Sequence, residues 1–143
     1  MVTITTTPAP FQPGFRLIDG TALNAAVAAE NLASTDGIVA STTQTRLGGT
    51  AVKTPVSRVS SANNLDAVTL GGAGAVLQTG FYIIANKSGQ TIQVFPPGAN
   101  DTIDGGAAGA AVQLSNAKLG LYIIALNNGG VLTISSGSMA VSS

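Results

Sequence analysis

From residue 34 onward, short runs of apolar and β-branched residues alternate with clusters of turn residues. The runs are VSRVS, DAVTL, FYIIA, TIQVF, AAVQL, LYIIA and VLTIS; between them fall STDG, SANN, GGAG, KSG, PPG, DGG, NNGG and SSG. Turn signals every ~8–12 residues are the spacing of a sandwich or barrel. Valine, isoleucine, threonine and tyrosine suit a pleated, half-buried surface. No long helical stretch separates the runs, which disfavours a parallel α/β sheet. The pattern predicts one all-β domain over residues 35–143, an antiparallel β-sandwich or barrel of jelly-roll-like type.

The text before it is different. Residues 1–18 alternate Thr with Val and Ile and then pass Pro8, Pro10 and Pro13. Proline has no amide donor and a fixed φ, so this stretch predicts an extended arm suited to reaching a neighbour. Residues 19–34 predict one short helix. Leu23, Val27 and Glu30 fall at helical spacing among alanines, and Asp19 or Thr21 can cap the start. So short a helix needs packing to persist.

Two stretches repeat: GFYIIANKSGQTIQV at 80–94 and GLYIIALNNGGVLTI at 120–134. Each reads as an apolar run, a turn and an alternating run, predicting hairpins at 80–95 and 120–135. Asn-Gly is the strongest two-residue hairpin signal, because a type I′ turn needs positive φ at both positions. With Asn128-Gly129 as the loop, Ile123 faces Ile134 and Ala125 faces Leu132. With Ser88-Gly89 as the loop, Ile83 faces Val94 and Ala85 faces Ile92. This register puts Phe81, Ile83, Ile92 and Val94, with Leu121, Ile123, Leu132 and Ile134, on a wholly apolar core side. The opposite side carries Tyr82, Ile84 and Phe95 with Tyr122 and Ile124, beside Gln93 and Thr133. The simplest cover for it is the chain's own other segments. A neighbouring subunit is the next, which makes those five residues the subunit-interface candidates, and a ligand platform is the least economical.

Charge sharpens the picture. Only 8% of the 143 residues are charged and the net charge is zero, against about 25% charged in an ordinary domain. Mean hydropathy is +0.40. A surface so poorly charged is weakly defended against association, so a component of an assembly is expected rather than a free enzyme. The six basic residues are scattered, with Arg46, Lys53 and Arg58 in one local excess that reads as a solvated loop. There is no basic stripe for phosphates, and nucleic acid is not an expected partner. The N-terminal residues have no basic stretch followed by an apolar one, so no signal peptide is expected. No apolar run approaches a membrane span.

Candidate chemistry is sparse. The chain has no histidine and no cysteine, which removes the commonest general base and the usual transition-metal ligands. No nucleophile elbow, phosphate loop or dinucleotide fingerprint is present. Most of the aspartates sit beside Gly, Asn or Thr, as turn residues do. Asp101 and Asp104 are the closest pair and could hold a weak Ca²⁺ through oxygen ligands, but a turn explains them more simply. No catalytic residue, cofactor or metal is expected, and the chain is expected not to be an enzyme.

Four stretches in order, FRLIDGTALN (15–24), DGIVASTTQT (36–45), VSSANNLDAVTL (59–70) and IQVFPPGANDTIDGG (92–106), resemble small virion structural proteins of tailed bacteriophages, of the capsid decoration (cement) or head-fibre type. The resemblance spans about residues 15–125. It implies an all-β domain on the outer surface of the capsid, made in the host cytoplasm and typically trimeric. Its expected partners are the major capsid protein and further copies of itself. Phe11, Phe15, Arg16 and Leu17 of the arm are the candidates for capsid contact. Relatives of that type often end in an aromatic strand, whereas this chain lacks tryptophan and ends SSGSMAVSS. The alternative role is a head- or tail-fibre module attaching to host-surface glycan. Such a module needs aromatics clustered at loop tips, and aromatics are only 4% here.

Overall fold

The computed structural model describes residues 33–77 and 79–140. They form ten strands: β1 (Ser34–Val39), β2 (Thr50–Val52), β3 (Val56–Ser61), β4 (Ala67–Leu70), β5 (Phe81–Asn86), β6 (Ile92–Phe95), β7 (Thr102–Ile103), β8 (Val112–Leu114), β9 (Lys118–Asn128) and β10 (Val131–Ala140). The all-β expectation is met. Ala33 and Ser34, the end of the predicted helix, are an irregular residue and the first residue of β1. The rest of that helix and the arm lie outside the described residues.

The strands make a six-stranded sheet, β1-β3-β5-β9-β10-β7, and a four-stranded sheet, β2-β4-β6-β8. From β1 to β9, successive strands fall in alternate sheets. β1, β3 and β5 pair in parallel in one sheet, and β2, β4 and β6 pair in parallel in the other. Only the later pairs, β5–β9, β9–β10 and β6–β8, are antiparallel. The wholly antiparallel, jelly-roll-like arrangement read from the turn spacing is therefore corrected to two mixed sheets. Turn spacing reports where strands end. It does not report whether the chain turns back within a sheet or crosses to the other one.

The predicted hairpin at 80–95 is such a crossing. β5 and β6 do not pair, and the link between them carries the chain from one sheet to the other. Asn86 builds the corner. It is wholly buried, its Nδ2 donates to the carbonyls of Gln90 and Leu114 at 2.8 Å each, and its Oδ1 accepts from the Ser88 amide and hydroxyl. The predicted hairpin at 120–135 does exist, between β9 and β10, but its loop lies one residue further along, so that next to the turn each partner is two residues from the expected one. Val131 pairs with Asn128, so the loop is Gly129-Gly130 rather than Asn128-Gly129. Both loop residues have positive φ, +60° and +86°, and two glycines adopt that conformation without a Cβ clash. A further register shift between Thr133 and Ile134 sets Ile134 opposite Ile124.

A single core cluster draws side chains from both sheets. Val59, Tyr82, Ile84, Tyr122 and Ile134 come from the six-stranded sheet, and Val52, Val68, Leu70, Ile92, Val94 and Leu114 from the four-stranded one. All of these are at most 2% exposed. The core side of the repeated stretches is thus the tyrosine side. The assignment of Phe81, Ile83, Leu121 and Ile123 to the core is corrected, while Ile92, Val94, Leu132 and Ile134 are buried as expected.

Candidate functional site

The two repeated stretches pair with each other. In the antiparallel β5–β9 ladder Tyr82 lies opposite Tyr122, Phe81 opposite Ile123, Ile83 opposite Leu121 and Ile84 opposite Gly120. Each Gly-x-Tyr-Ile-Ile therefore runs against its own copy, with the tyrosines at the centre. Side chains alternate across a strand, so the tyrosines and Ile84 enter the core while Phe81, Ile83, Leu121 and Ile123 stand on the outer face.

Of the five subunit-interface candidates, Tyr82, Ile84 and Tyr122 are at most 2% exposed within a single chain. Ile124 is half-buried against the same core. Phe95 is buried in β6 of the other sheet, opposite Thr69. Their cover is the chain itself, and the structure does not bring them together on an outer surface. Burial pushes the phenol pKa of Tyr82 up. It pushes that of Tyr122 well up, with the Asp104 carboxylate adding to the shift. The arm candidates Phe11, Phe15, Arg16 and Leu17 lie outside the described residues.

The two sheets treat their outer faces differently. On the four-stranded sheet, Ala67 and Thr69 point away from the core yet are 0% exposed. The stretch from Ser41 to Gly49 lies over them. Ser41 bridges to Ala67 through both backbone bonds, and the Thr69 hydroxyl donates to the Arg46 carbonyl at 2.8 Å. A Cβ on Gly49 would sit 2.4 Å from the Thr69 hydroxyl oxygen, so only glycine lets the loop come this close. Arg46 is held in turn by its guanidinium, which donates to the Pro97 carbonyl.

The outer face of the six-stranded sheet has no such cover among the described residues. Pairing aligns three rows across it: Phe81–Ile123–Ser135, Val56–Ile83–Leu121–Gly137 and Arg58–Ala85–Leu119–Met139. Phe81 is 37% exposed, Ile123 46% and Met139 58%. The central positions, Ile83, Ala85, Leu119 and Leu121, are half-buried by their neighbours. The one charged group among these rows, Arg58, is at the β3 side and is paired with Asp36 of β1. Sequence reasoning missed this face because FYIIA is apolar at nearly every position. Asn86, in phase with Tyr82 and Ile84, made the buried side look like the solvent side. The signal available in the sequence was the repeat of Gly-x-Tyr-Ile-Ile itself, whose two copies pair with each other in antiparallel fashion.

Asp101 and Asp104 do not converge on a common point. Asp101 is buried and accepts from the amides of Gly98 at 2.6 Å and Leu132 at 2.9 Å. Asp104, at φ +53°, accepts from the Ser136 amide at 2.6 Å and from the Ser136 hydroxyl. Between them, Thr102 and Ile103 pair with Thr133 and Ile134. The segment fastens the free edge of β10 with two carboxylates and a two-residue strand. Among the described residues no group of three His, Cys, Asp or Glu side chains comes together. A cleft of about 440 Å³ lies near Asp101, lined by glycines, Ala75, Val76, Leu77, Thr79, Ile124 and Leu132. Its one carboxylate already holds two backbone amides. No helix in the described residues is long and apolar enough to cross a membrane.

No family model matches the chain, and no curated protein or solved structure matches it either.

Proposed function

We propose that this chain is a non-enzymatic structural protein of a tailed-phage virion, a capsid decoration (cement) protein. In this reading it is a β-sandwich that binds the outside of the major capsid shell, assembles as a homotrimer and stabilises the shell. The observation that carries the reading is the apolar outer face of the six-stranded sheet, uncovered among the described residues, on a chain with only 8% charged residues. Such a face, left wet, is a liability for a free monomer and an asset for a component of an assembly. The ordered resemblance of four stretches to phage decoration and head-fibre proteins names the kind of assembly. The mechanism is mechanical. Contacts bridging neighbouring capsomers add buried area that must be lost before the shell opens, at about 25 cal/mol per Å² of apolar surface before association costs. A modest contact repeated over a lattice suffices.

The test is heat resistance of purified particles with and without the chain. Particles lacking it are expected to release DNA at a lower temperature, and adding the purified chain back is expected to restore the original value. Unchanged release, together with specific, saturable glycan binding, would move the chain to the fibre class.

A further inference from the structure

We propose that Asn128 is a site of spontaneous covalent modification, at which the folded chain converts its own asparagine to isoaspartate and aspartate through a cyclic imide. Asparagine is among the thermolabile side chains. Its reaction needs the backbone nitrogen of the next residue to reach the side-chain carbonyl carbon. A Cβ on that next residue obstructs the approach, and glycine has none. Asn128 is the one asparagine of this chain that is followed by glycine.

The structure leaves this site open. Asn128 is exposed at the last position of β9, and Gly129, at φ +60°, begins the loop. The tip is thinly held. From Lys118 to Ile123, β9 lies between β5 and β10, but from Leu126 to Asn128 it pairs with β10 alone among the described residues. On the other side, β7 holds β10 at Thr133 and Ile134, and Asp101 holds the Leu132 amide. Past those anchors the tip is a two-stranded ribbon, which is marginal in water by itself. Such an end opens at little cost, and opening frees Asn128 to bring its Cγ to the Gly129 nitrogen. Other asparagines are tied down. Asn86 is wholly buried, the Asn63 amide donates to Asp66, and the Asn116 carbonyl accepts from the Gly89 amide.

The step balances with water as its only co-reactant. The Gly129 nitrogen loses its proton to solvent and attacks Cγ of Asn128. A Cγ–N bond forms, the Cγ–Nδ2 bond breaks, and Nδ2 takes up a proton and leaves as ammonia. Water then opens the five-membered imide at either carbonyl. Opening at Cγ gives aspartate, and opening at the main-chain carbonyl gives isoaspartate, whose backbone is one carbon longer. Both products replace a neutral amide by a carboxylate, on a chain whose net charge is zero. The longer backbone falls at the Asn128–Val131 pair that closes the hairpin, so isoaspartate loosens that closure. The inference rests on this hairpin alone and is independent of the shell role.

The test holds the purified full chain in mildly alkaline buffer at physiological temperature for weeks, beside a sample kept unfolded in guanidinium chloride. Isoelectric focusing follows the charge, and peptide mass spectrometry locates the change and separates isoaspartate from aspartate. One more acidic species is expected in the folded sample, converted at residue 128 with isoaspartate the larger share. Its rate is expected to be within about ten-fold of the unfolded one, because a hairpin tip opens readily. Asn128→Gln, whose ring closure is slower, is expected to abolish that species. A folded chain whose residue 128 stays intact while the unfolded chain converts overturns the inference without recourse to any variant. So does conversion confined to other asparagines, or an acidic species that persists in Asn128→Gln.

Discussion

The two copies of Gly-x-Tyr-Ile-Ile enter the six-stranded sheet as partners and leave it by different routes. After Ile84 the chain reaches Asn86, whose side chain closes a corner, and β6 begins in the other sheet. After Ile124 the chain runs on to Asn128, turns at Gly129-Gly130 and returns as β10 in the same sheet. At the position of Asn86 the second copy has Leu126, and where the first turn reads Lys-Ser-Gly the second reads Asn-Asn-Gly-Gly. The shared text specifies a strand and its inward face. The residues just after it specify which sheet comes next.

The sharpest way to break this contrast is at the corner. Asn86→Ala leaves the carbonyls of Gln90 and Leu114 and the Ser88 amide without their buried partner. It is expected to cost about 3 kcal/mol, read as a drop in the denaturant midpoint. An unchanged midpoint would mean that the arch does not depend on its amide.

The next effect separates the glycines that open the two copies. A Cβ on Gly120 would lie 2.8 Å from Tyr122 Cε2 and 3.1 Å from a Leu114 methyl, whereas a Cβ on Gly80 would meet nothing within 4 Å. Gly120→Ala is expected to destabilise by about 2 kcal/mol through overpacking. Gly80→Ala is expected to change stability by less than about 0.5 kcal/mol. Equal thermal shifts for the two variants would contradict the packing described around Tyr122.

The smallest effect concerns the two phenols. A tyrosine is neutral when protonated, and both side chains have pKa values raised by burial, Tyr122 the more strongly. Their contribution is fully present below the unfolded pKa of about 10 and is lost as pH rises from there through the folded value. Stability is therefore expected to be flat with respect to these groups up to about pH 10 and to fall above it, by at most about 1.4 kcal/mol per pH unit for each phenol. Tyr122→Phe should remove more of that slope than Tyr82→Phe. Equilibrium unfolding across the alkaline range reads both.

Much of this fold is legible in the chain. The runs FYIIA, TIQVF, LYIIA and VLTIS are all strands, and the glycine-rich clusters between runs are turns. What escaped was pairing. Turn residues permit a reversal without fixing whether the partner strand is the next one or one laid down earlier, and here β3 and β5 add in parallel to earlier strands. The face assignment failed for a related reason. Asn86 looks like a solvent-facing residue in the sequence, but four hydrogen bonds let it lie wholly buried. In the second copy the loop at Gly129-Gly130 moves each partner by two residues and keeps the faces, while the register shift between Thr133 and Ile134 brings Ile134 onto the face of Ile124 and Tyr122. The outer apolar face follows from these two corrections and was not visible without them. Asp101 and Asp104, by contrast, read correctly as turn residues, and the structure adds their role in holding β10.

We propose that this chain is a repeated structural component of a particle shell. Its most direct test is the copy number of the chain relative to the major shell protein in purified particles, by quantitative mass spectrometry. Hundreds of copies per particle are expected, in a fixed ratio to the shell subunit. A few to a few tens of copies would place the chain at a fibre or tail, and its absence from particles would rule out a virion role altogether.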